Sequence, residues 1–139
     1  MEQGTTRARL DSNSSERFLS LRRELGVSSF GINQLVLCPG QRGRIHRHQR
    51  QEEVYLVLEG VLTLLLEDGE IRLSKGELIR VAPQVRRQLV NRGRERLVLL
   101  ALGGDGAHQG RDGEAFTDWD QTTGVPPQEV PLPSDVEVE

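Results

Sequence analysis

Eight short β-rich runs, set close together between Gly31 and Leu102 and separated by turn residues, constrain this chain more than any other feature of its sequence. INQLVLC (32–38) stops at Pro39-Gly40, RIHRH (44–48) alternates, and EVYLVLE (53–59) stops at Gly60. VLTLLLE (61–67) and EIRLS (70–74) flank Asp68-Gly69, a pair with a strong hairpin preference. ELIRVA (77–82) runs into Pro83, RQLVN (87–91) into Arg92-Gly93, and ERLVLLAL (95–102) into Gly103-Gly104. None carries a convincing helical period, so the spacing predicts about eight strands in about seventy residues and a closed or double-sheet antiparallel, all-β architecture. The one helical candidate is SERFLSLRREL (15–25), with Ser15 as cap and Phe18, Leu21 and Leu25 at helical spacing. One domain is expected: an N-terminal segment (1–29) with a short helix, a barrel (30–103), and an acidic tail (104–139) that Phe116 and Trp119 pin to the barrel. The last stretch, TGVPPQEVPLPSDVEVE, reads as extended or disordered.

Composition narrows the partners. No apolar run is long enough to cross a bilayer, and the first residues lack the apolar block of a secretory signal, so a cytoplasmic protein is expected. The single cysteine, Cys38, excludes an internal disulfide and a C-x-x-C pair, and small buried packing is its expected role. The net charge of −3 is unevenly spread: residues 41–96 sum to +4 and residues 103–139 to −8. Seventeen of the eighteen cations are arginine, which suits forked pairing with carboxylates and phosphates. Nucleic acid is not an expected partner, because the basic excess is small and stacking aromatics are few.

The stretch HRHQRQEE carries the chemistry. His46 and His48, one residue apart on a strand, point to the same face with Cα atoms about 6.6 Å apart, so their imidazoles can converge on one ion. Glu53 lies at an odd offset and reaches that face only if the chain turns within Gln49 to Gln51. With that turn, two histidines and a carboxylate form a set suited to Fe, Mn, Ni, Cu or Zn. Spacing alone leaves two readings open, a metal site and an exposed polar pair in a turn.

Gly40, five residues, His46, one, His48, four, Glu53, six, Gly60 resembles the first motif of the cupin superfamily at every position. The second motif follows in register at Gly76, Ala82, Gln84, Arg87 and Asn91, with three of five identities changed. The resemblance spans roughly residues 30–103. It implies a double-stranded β-helix (jelly-roll barrel), commonly a homodimer, with a metal at His46, His48 and Glu53. Arg87 stands where the family's fourth ligand belongs, and a protonated guanidinium has no lone pair to donate. A divalent ion 5 Å from it is repelled by about 7 kcal/mol at an effective dielectric of about 20. The metal is therefore kept by three ligands, or replaced by an Arg87–Glu53 pair, or accompanied or replaced by an anionic ligand that Arg87 grips; otherwise Arg87 bends to solvent. Arg87, Leu89 and Asn91 share an inward parity.

Tyr55 shares the strand face of Glu53 and can present its hydroxyl to a ligand, while Val54, Leu56 and Leu58 make the other face apolar, suited to a second subunit or the other sheet. Gln34, Val36 and Cys38 alternate on the first long strand, a register that brings Cys38 toward the barrel. Arg42, Arg44, Arg47, Arg50, Arg86 and Arg87 are expected to make an electropositive mouth, with the acidic tail over it as a lid. His108 is expected to be solvated. The primary expectation is a binding module for a small anionic molecule, in which Arg87, Tyr55 and Arg44 contact the ligand. The alternatives are a metal-dependent oxygenase or isomerase, and a structural dimeric barrel with a decayed site.

Overall fold

The computed structural model describes residues 4–104 and 112–139. His108 lies outside the described residues. In chain order the elements are β1 (Phe18–Ser20), α1 (Leu21–Leu25), β2 (Gly31–Leu37), β3 (Ile45–His48), β4 (Glu52–Glu59), β5 (Leu62–Leu66), β6 (Gly69–Leu73), β7 (Leu78–Val81), β8 (Gln88–Val90), β9 (Leu97–Gly104), β10 (Gly113–Phe116) and a 3-10 turn at Pro127–Glu129. Each of the eight runs predicted between residues 31 and 102 forms a strand, β2 to β9. The hairpin loop is shifted by one residue, since Leu66 pairs with Gly69 and leaves Glu67 and Asp68 as the loop.

One sheet has the order β1-β2-β9-β4-β7. The other is assembled from two ladders, β10-β3 and β6-β5-β8, joined by bridges from Arg42 to Val90 and from His46 to Arg87. All pairings are antiparallel. Two facing antiparallel sheets of this kind make a jelly-roll barrel. Its core is built from alternate residues of both sheets, among them Tyr55, Val57, Leu64, Leu89, Leu97 and Leu99. Each such aliphatic contributes about 1.5–3 kcal/mol by burial. A one-residue slip of β4 would turn Glu53, Tyr55 and Val57 to the outside together, so the core fixes the register of the site.

The other face of the β1-containing sheet is also apolar. Across its strands run the rows Ile32, Leu102, Val54, Arg80 and Gln34, Leu100, Leu56, Leu78. Leu78 is 62% exposed there.

Both flanks differ from their sequence reading. The helix is a single turn starting at Leu21, with Ser20 rather than Ser15 as cap: the Arg23 amide donates to Ser20 Oγ at 3.2 Å. Gly26 closes it at φ 75, in the left-handed region. Residues 18–20 pair instead with β2, whose edge would otherwise leave amides and carbonyls unmatched, and Phe18 is 54% exposed rather than on a packed helix face.

The acidic segment contributes β10, which pairs Gly113 with His48 and Ala115 with His46. Phe116 is buried, with the guanidinium groups of Arg47 and Arg86 at 5.3 and 4.9 Å from its ring, and Arg86 also lies 5.9 Å from Trp119. Both aromatics thus hold the segment to the barrel. The last residues are extended and bonded to it, Val136 N donating to Gly40 O at 2.7 Å and Glu139 N to Arg92 O at 2.8 Å. Gly40 sits at φ 85, and a Cβ there would come within 2.7 Å of Val136 O, so the residue opening the HRH loop must be glycine. Among the described residues, no helix is long and apolar enough to cross a membrane.

Candidate functional site

Strand β3 is fixed to β8 by reciprocal bonds between His46 and Arg87, both 2.9 Å, and by His48 N donating to Pro83 O at 2.8 Å. On this strand His46 and His48 project to one face, their rings edge to face with centroids 5.4 Å apart. The chain then reverses between β3 and β4 and carries Glu53 back beside them. Glu53 Oε1 lies 3.6 Å from His46 Nε2 and 3.2 Å from His48 Nε2, and donor atoms of the three residues lie within 4.8 Å of one another. Atoms each about 2.1 Å from a shared ion, at right or tetrahedral angles, are about 3.0–3.4 Å apart; the His48–Glu53 distance of 3.2 Å falls in that range and the His46–Glu53 distance of 3.6 Å lies just beyond it.

The outer nitrogens set the direction of both rings. His46 Nδ1 lies 3.2 Å from Arg44 O and His48 Nδ1 lies 2.7 Å from Asp112 Oδ1, so both Nε2 atoms are turned toward Glu53. Asp112 is itself immobilised by the amides of Arg50 and Gln51, at 2.9 and 2.8 Å, and by Gln51 Nε2. Burial alone would raise its pKa, but these amide bonds and the contact with His48 hold it below the usual carboxylate range. His48 Nε2 is buried and has no hydrogen-bond partner. A buried polar atom aimed at a carboxylate without being bonded to it is what a metal ligand looks like when protein atoms alone are counted. His46, His48 and Glu53 therefore fit a transition metal as a three-donor set.

The fourth-ligand position is occupied as arginine chemistry requires. Arg87 is 0% exposed, so it does not bend to solvent. Its Nη2 donates to Glu53 Oε1 at 2.7 Å, and its Nη1 to the carbonyls of Val85 at 2.6 Å and Pro83 at 3.2 Å. Tyr55 is fully buried and donates its hydroxyl to the same Glu53 oxygen at 2.6 Å. Burial first, and the adjacent Glu53 charge second, push the Tyr55 phenol well above its ordinary range, so it remains a donor. Burial would raise Glu53 as well, but the close contacts with His46 and His48 outweigh it and hold the carboxyl well below 4.5. For His48, burial lowers the pKa, and the contacts with Glu53 and Asp112 more than offset it, leaving it raised above 6.5.

These residues form one side of a cavity of about 1050 Å³. Arg87 is not among its lining residues: inward parity buries it behind Glu53, where the carboxylate and the carbonyls before β8 take its donors. Tyr55 and Arg44 do line the cavity. Other members of the expected arginine mouth face elsewhere. Arg42 donates to Ser134 O at 2.8 Å, Arg47 pairs with Glu114 at 3.2 Å, and Arg86 pairs with Glu67 at 2.7 Å. Arg50 lines a separate groove with Glu52 and Arg80. The cavity receives instead Arg17, just before β1, and Arg22 and Arg23 from α1, residues that helical periodicity gave no reason to direct at the site. The acidic segment supplies part of the wall through Gly113, Pro126, Pro127, Gln128 and Leu132. On β2 the inward residues are Asn33, Leu35 and Leu37, so Gln34 and Val36 face away from the cavity and half-buried Cys38 does not line it.

Three comparisons with known proteins bear on this geometry. A family model described as a cupin domain matches residues 34–103. An uncharacterised protein of Methanocaldococcus jannaschii is 30% identical over 69 residues, which span 50% of this chain and 55% of that protein, so the chain matches about half the length of this curated relative. Among solved structures, a cupin-superfamily sugar phosphate isomerase from Silicibacter pomeroyi is similar with TM-score 0.64 and 25% identity, covering 84% of this chain and 79% of that one. A candidate sugar phosphate isomerase from Acidithiobacillus ferrooxidans is similar with TM-score 0.61 and 26% identity, covering 70% and 63%. A cupin protein from Bacteroides fragilis shares the fold with TM-score 0.66 at 18% identity, covering 89% of this chain and all of that one. The matched segment takes in the glycines at 40, 60 and 76, both histidines, Glu53 and the arginine-substituted second motif, and on these grounds the chain belongs to the cupin domain family.

Proposed function

We propose that the barrel binds a small anionic molecule, assisted by a divalent transition metal at His46, His48 and Glu53. The observation that carries this reading is the cavity itself, which joins the three donors to four arginines through a wall of aliphatic and polar residues. A metal there would supply Lewis-acid polarisation of ligand oxygens. The chain's own residues supply the rest. Asp112 fixes the ring of His48, Tyr55 and Arg87 hold Glu53 ionised and in place, and Tyr55 adds a hydroxyl to the cavity wall. Arg87 also weakens the site for a cation, because the guanidinium repels it across Glu53. Affinity is therefore expected to be lower than in a four-ligand relative.

A second reading, a metal-dependent isomerase, is favoured by the likeness to two structures described as sugar phosphate isomerases. The same proposal places the protein in the cytoplasm as a homodimer, with a second copy covering the outer apolar face around Leu56, Leu100 and Leu78.

The test combines elemental analysis of protein purified without added metal with thermal-shift titration by a sugar phosphate and by the corresponding neutral sugar. The expected result is metal in the wild type, its loss in His46→Ala, more metal in Arg87→His, and stabilisation by the phosphorylated compound alone. Wild-type protein that takes up no metal and responds to no anion would overturn the reading.

A further inference from the structure

We infer that Arg17, Arg22, Arg23 and Arg44 form a phosphate subsite, so that the ligand is a phosphorylated hydroxy or carbonyl compound held by its phosphoryl group at these arginines and by its oxygenated end at Glu53. The inference rests on the proposed reading of the barrel as an anion-binding site, and it adds where the charge binds and which class of anion carries it.

Four observations converge. All four arginines line the cavity, and the lining includes one acidic residue, Glu53, which Arg87 already neutralises at 2.7 Å. Among the described residues, no carboxylate pairs with any of the four, while Arg47, Arg72, Arg80, Arg86, Arg87 and Arg92 all have one. Arg22 Nε is buried and lacks an acceptor, and a donor removed from water without a partner costs roughly 1–3 kcal/mol until one arrives. Two of the side chains are also anchored, Arg44 by Nε to Val130 O and Arg17 by Nη1 to Arg42 O at 3.0 Å, so they lose little freedom when an anion binds.

Several guanidinium groups around one wall favour a group with several oxygens and close to two charges. Phosphate satisfies this better than a carboxylate. The subsite is built from two anchoring devices that lie outside the HRH motif: the Ser20 cap that sets α1, and the segment around Val130 that grips Arg44.

The experiment titrates the full chain with inorganic phosphate and with acetate at low and at raised salt, by calorimetry. Wild type is compared with Arg22→Gln, Arg44→Gln and Arg80→Gln, the last a surface arginine in the separate groove, each first shown by circular dichroism to be folded. Phosphate is expected to bind with an affinity that falls with salt, to weaken about tenfold in Arg22→Gln and in Arg44→Gln, and to change less than about twofold in Arg80→Gln. Undiminished phosphate binding in both Arg22→Gln and Arg44→Gln would overturn the subsite while leaving an anion-binding barrel intact. Acetate binding as tightly as phosphate would overturn the ligand class. No anion binding by the wild type would overturn the subsite and the proposed function together.

Discussion

At the metal-motif end of the cavity, each charged group has a counterpart: Glu53 lies among Arg87, Tyr55 and two histidines, and Asp112 lies between His48 and three amide donors. On the wall formed by residues 17–23 and the turn before β3, four arginines have no carboxylate partner among the described residues. The first region is a closed network whose members hold one another in place. The second is a charge imbalance. Networks of buried charge couple to folding, whereas unpaired cations beside solvent couple to what binds. Damage at Arg87 should therefore appear first in stability, and damage at Arg44 first in affinity.

The sharpest way to break that contrast is Arg87→Met. It removes a fully buried guanidinium, strands Glu53 beside Tyr55, and takes the Arg87 donor from the Val85 carbonyl. The expected loss is about 3–5 kcal/mol, read as a shift in the urea midpoint at unchanged slope. A loss below about 1 kcal/mol would mean the network does not hold the barrel together.

Acid should act on the same network. The Glu53 pKa lies below its unfolded value, so its contribution to stability is complete above about pH 4.5 and is lost as the pH falls through the folded pKa. His48 runs the other way. Its pKa is raised, so its contribution is present below about pH 6.5 and is lost as the pH rises through the folded value. Metal-free protein should thus lose stability on both sides of a middle window, and Glu53→Gln should flatten the acid side in urea midpoints taken from pH 3 to 9. An acid side unchanged by Glu53→Gln would assign acid unfolding to other carboxylates.

Asp112→Asn separates positioning from ligation. The barrel should fold, but the His48 ring loses the charged acceptor that fixes it, and metal affinity is expected to fall 10–100-fold by competition with a chromophoric chelator. The isosteric amide keeps one acceptor oxygen and therefore at most two of the four bonds that Asp112 accepts, so a fall in affinity larger than the accompanying fall in stability marks a positioning role. Equal losses in both would mark a structural one.

How far these features could be read from the sequence depends on whether their signal is local. Strands β2 to β9 were legible because most of their runs stop at or next to Gly, Pro, Asp or Asn and alternate or run apolar over several residues, and the turn after His48 follows from the odd offset to Glu53. Inward parity also placed Arg87, Leu89 and Asn91 correctly. Strands β1 and β10 were not legible. They are three and four residues long, and they form because β2 and β3 offer unpaired edges, a property of the assembled sheet rather than of FLS or GEAF. Asp112 meets His48 across 64 residues, and Arg22 enters the cavity only because Ser20 starts α1 where it does. No periodicity records either contact. The apparent mouth of Arg42, Arg47 and Arg86 failed for a related reason: each found a carbonyl or carboxylate that the acidic segment or the β5–β6 loop brought close.

Arg23→Gln gives the smallest expected effect and the cleanest separation of the two regions. Arg23 is exposed and lines the cavity, and its backbone amide, which a side-chain substitution leaves in place, is what completes the Ser20 cap. Stability should stay within about 0.5 kcal/mol of wild type, the usual range for surface changes away from special contacts. Phosphate affinity should fall by less than in Arg22→Gln, because an exposed guanidinium acts through a solvent-screened field while Arg22 presents a desolvated donor. The two titrations, run at matched salt, should converge as salt is raised if Arg23 acts only through the field. If Arg23→Gln matched Arg22→Gln at every salt concentration, Arg23 would instead touch the anion directly, and the arginines would be equivalent members of one clamp rather than an inner contact with an outer field.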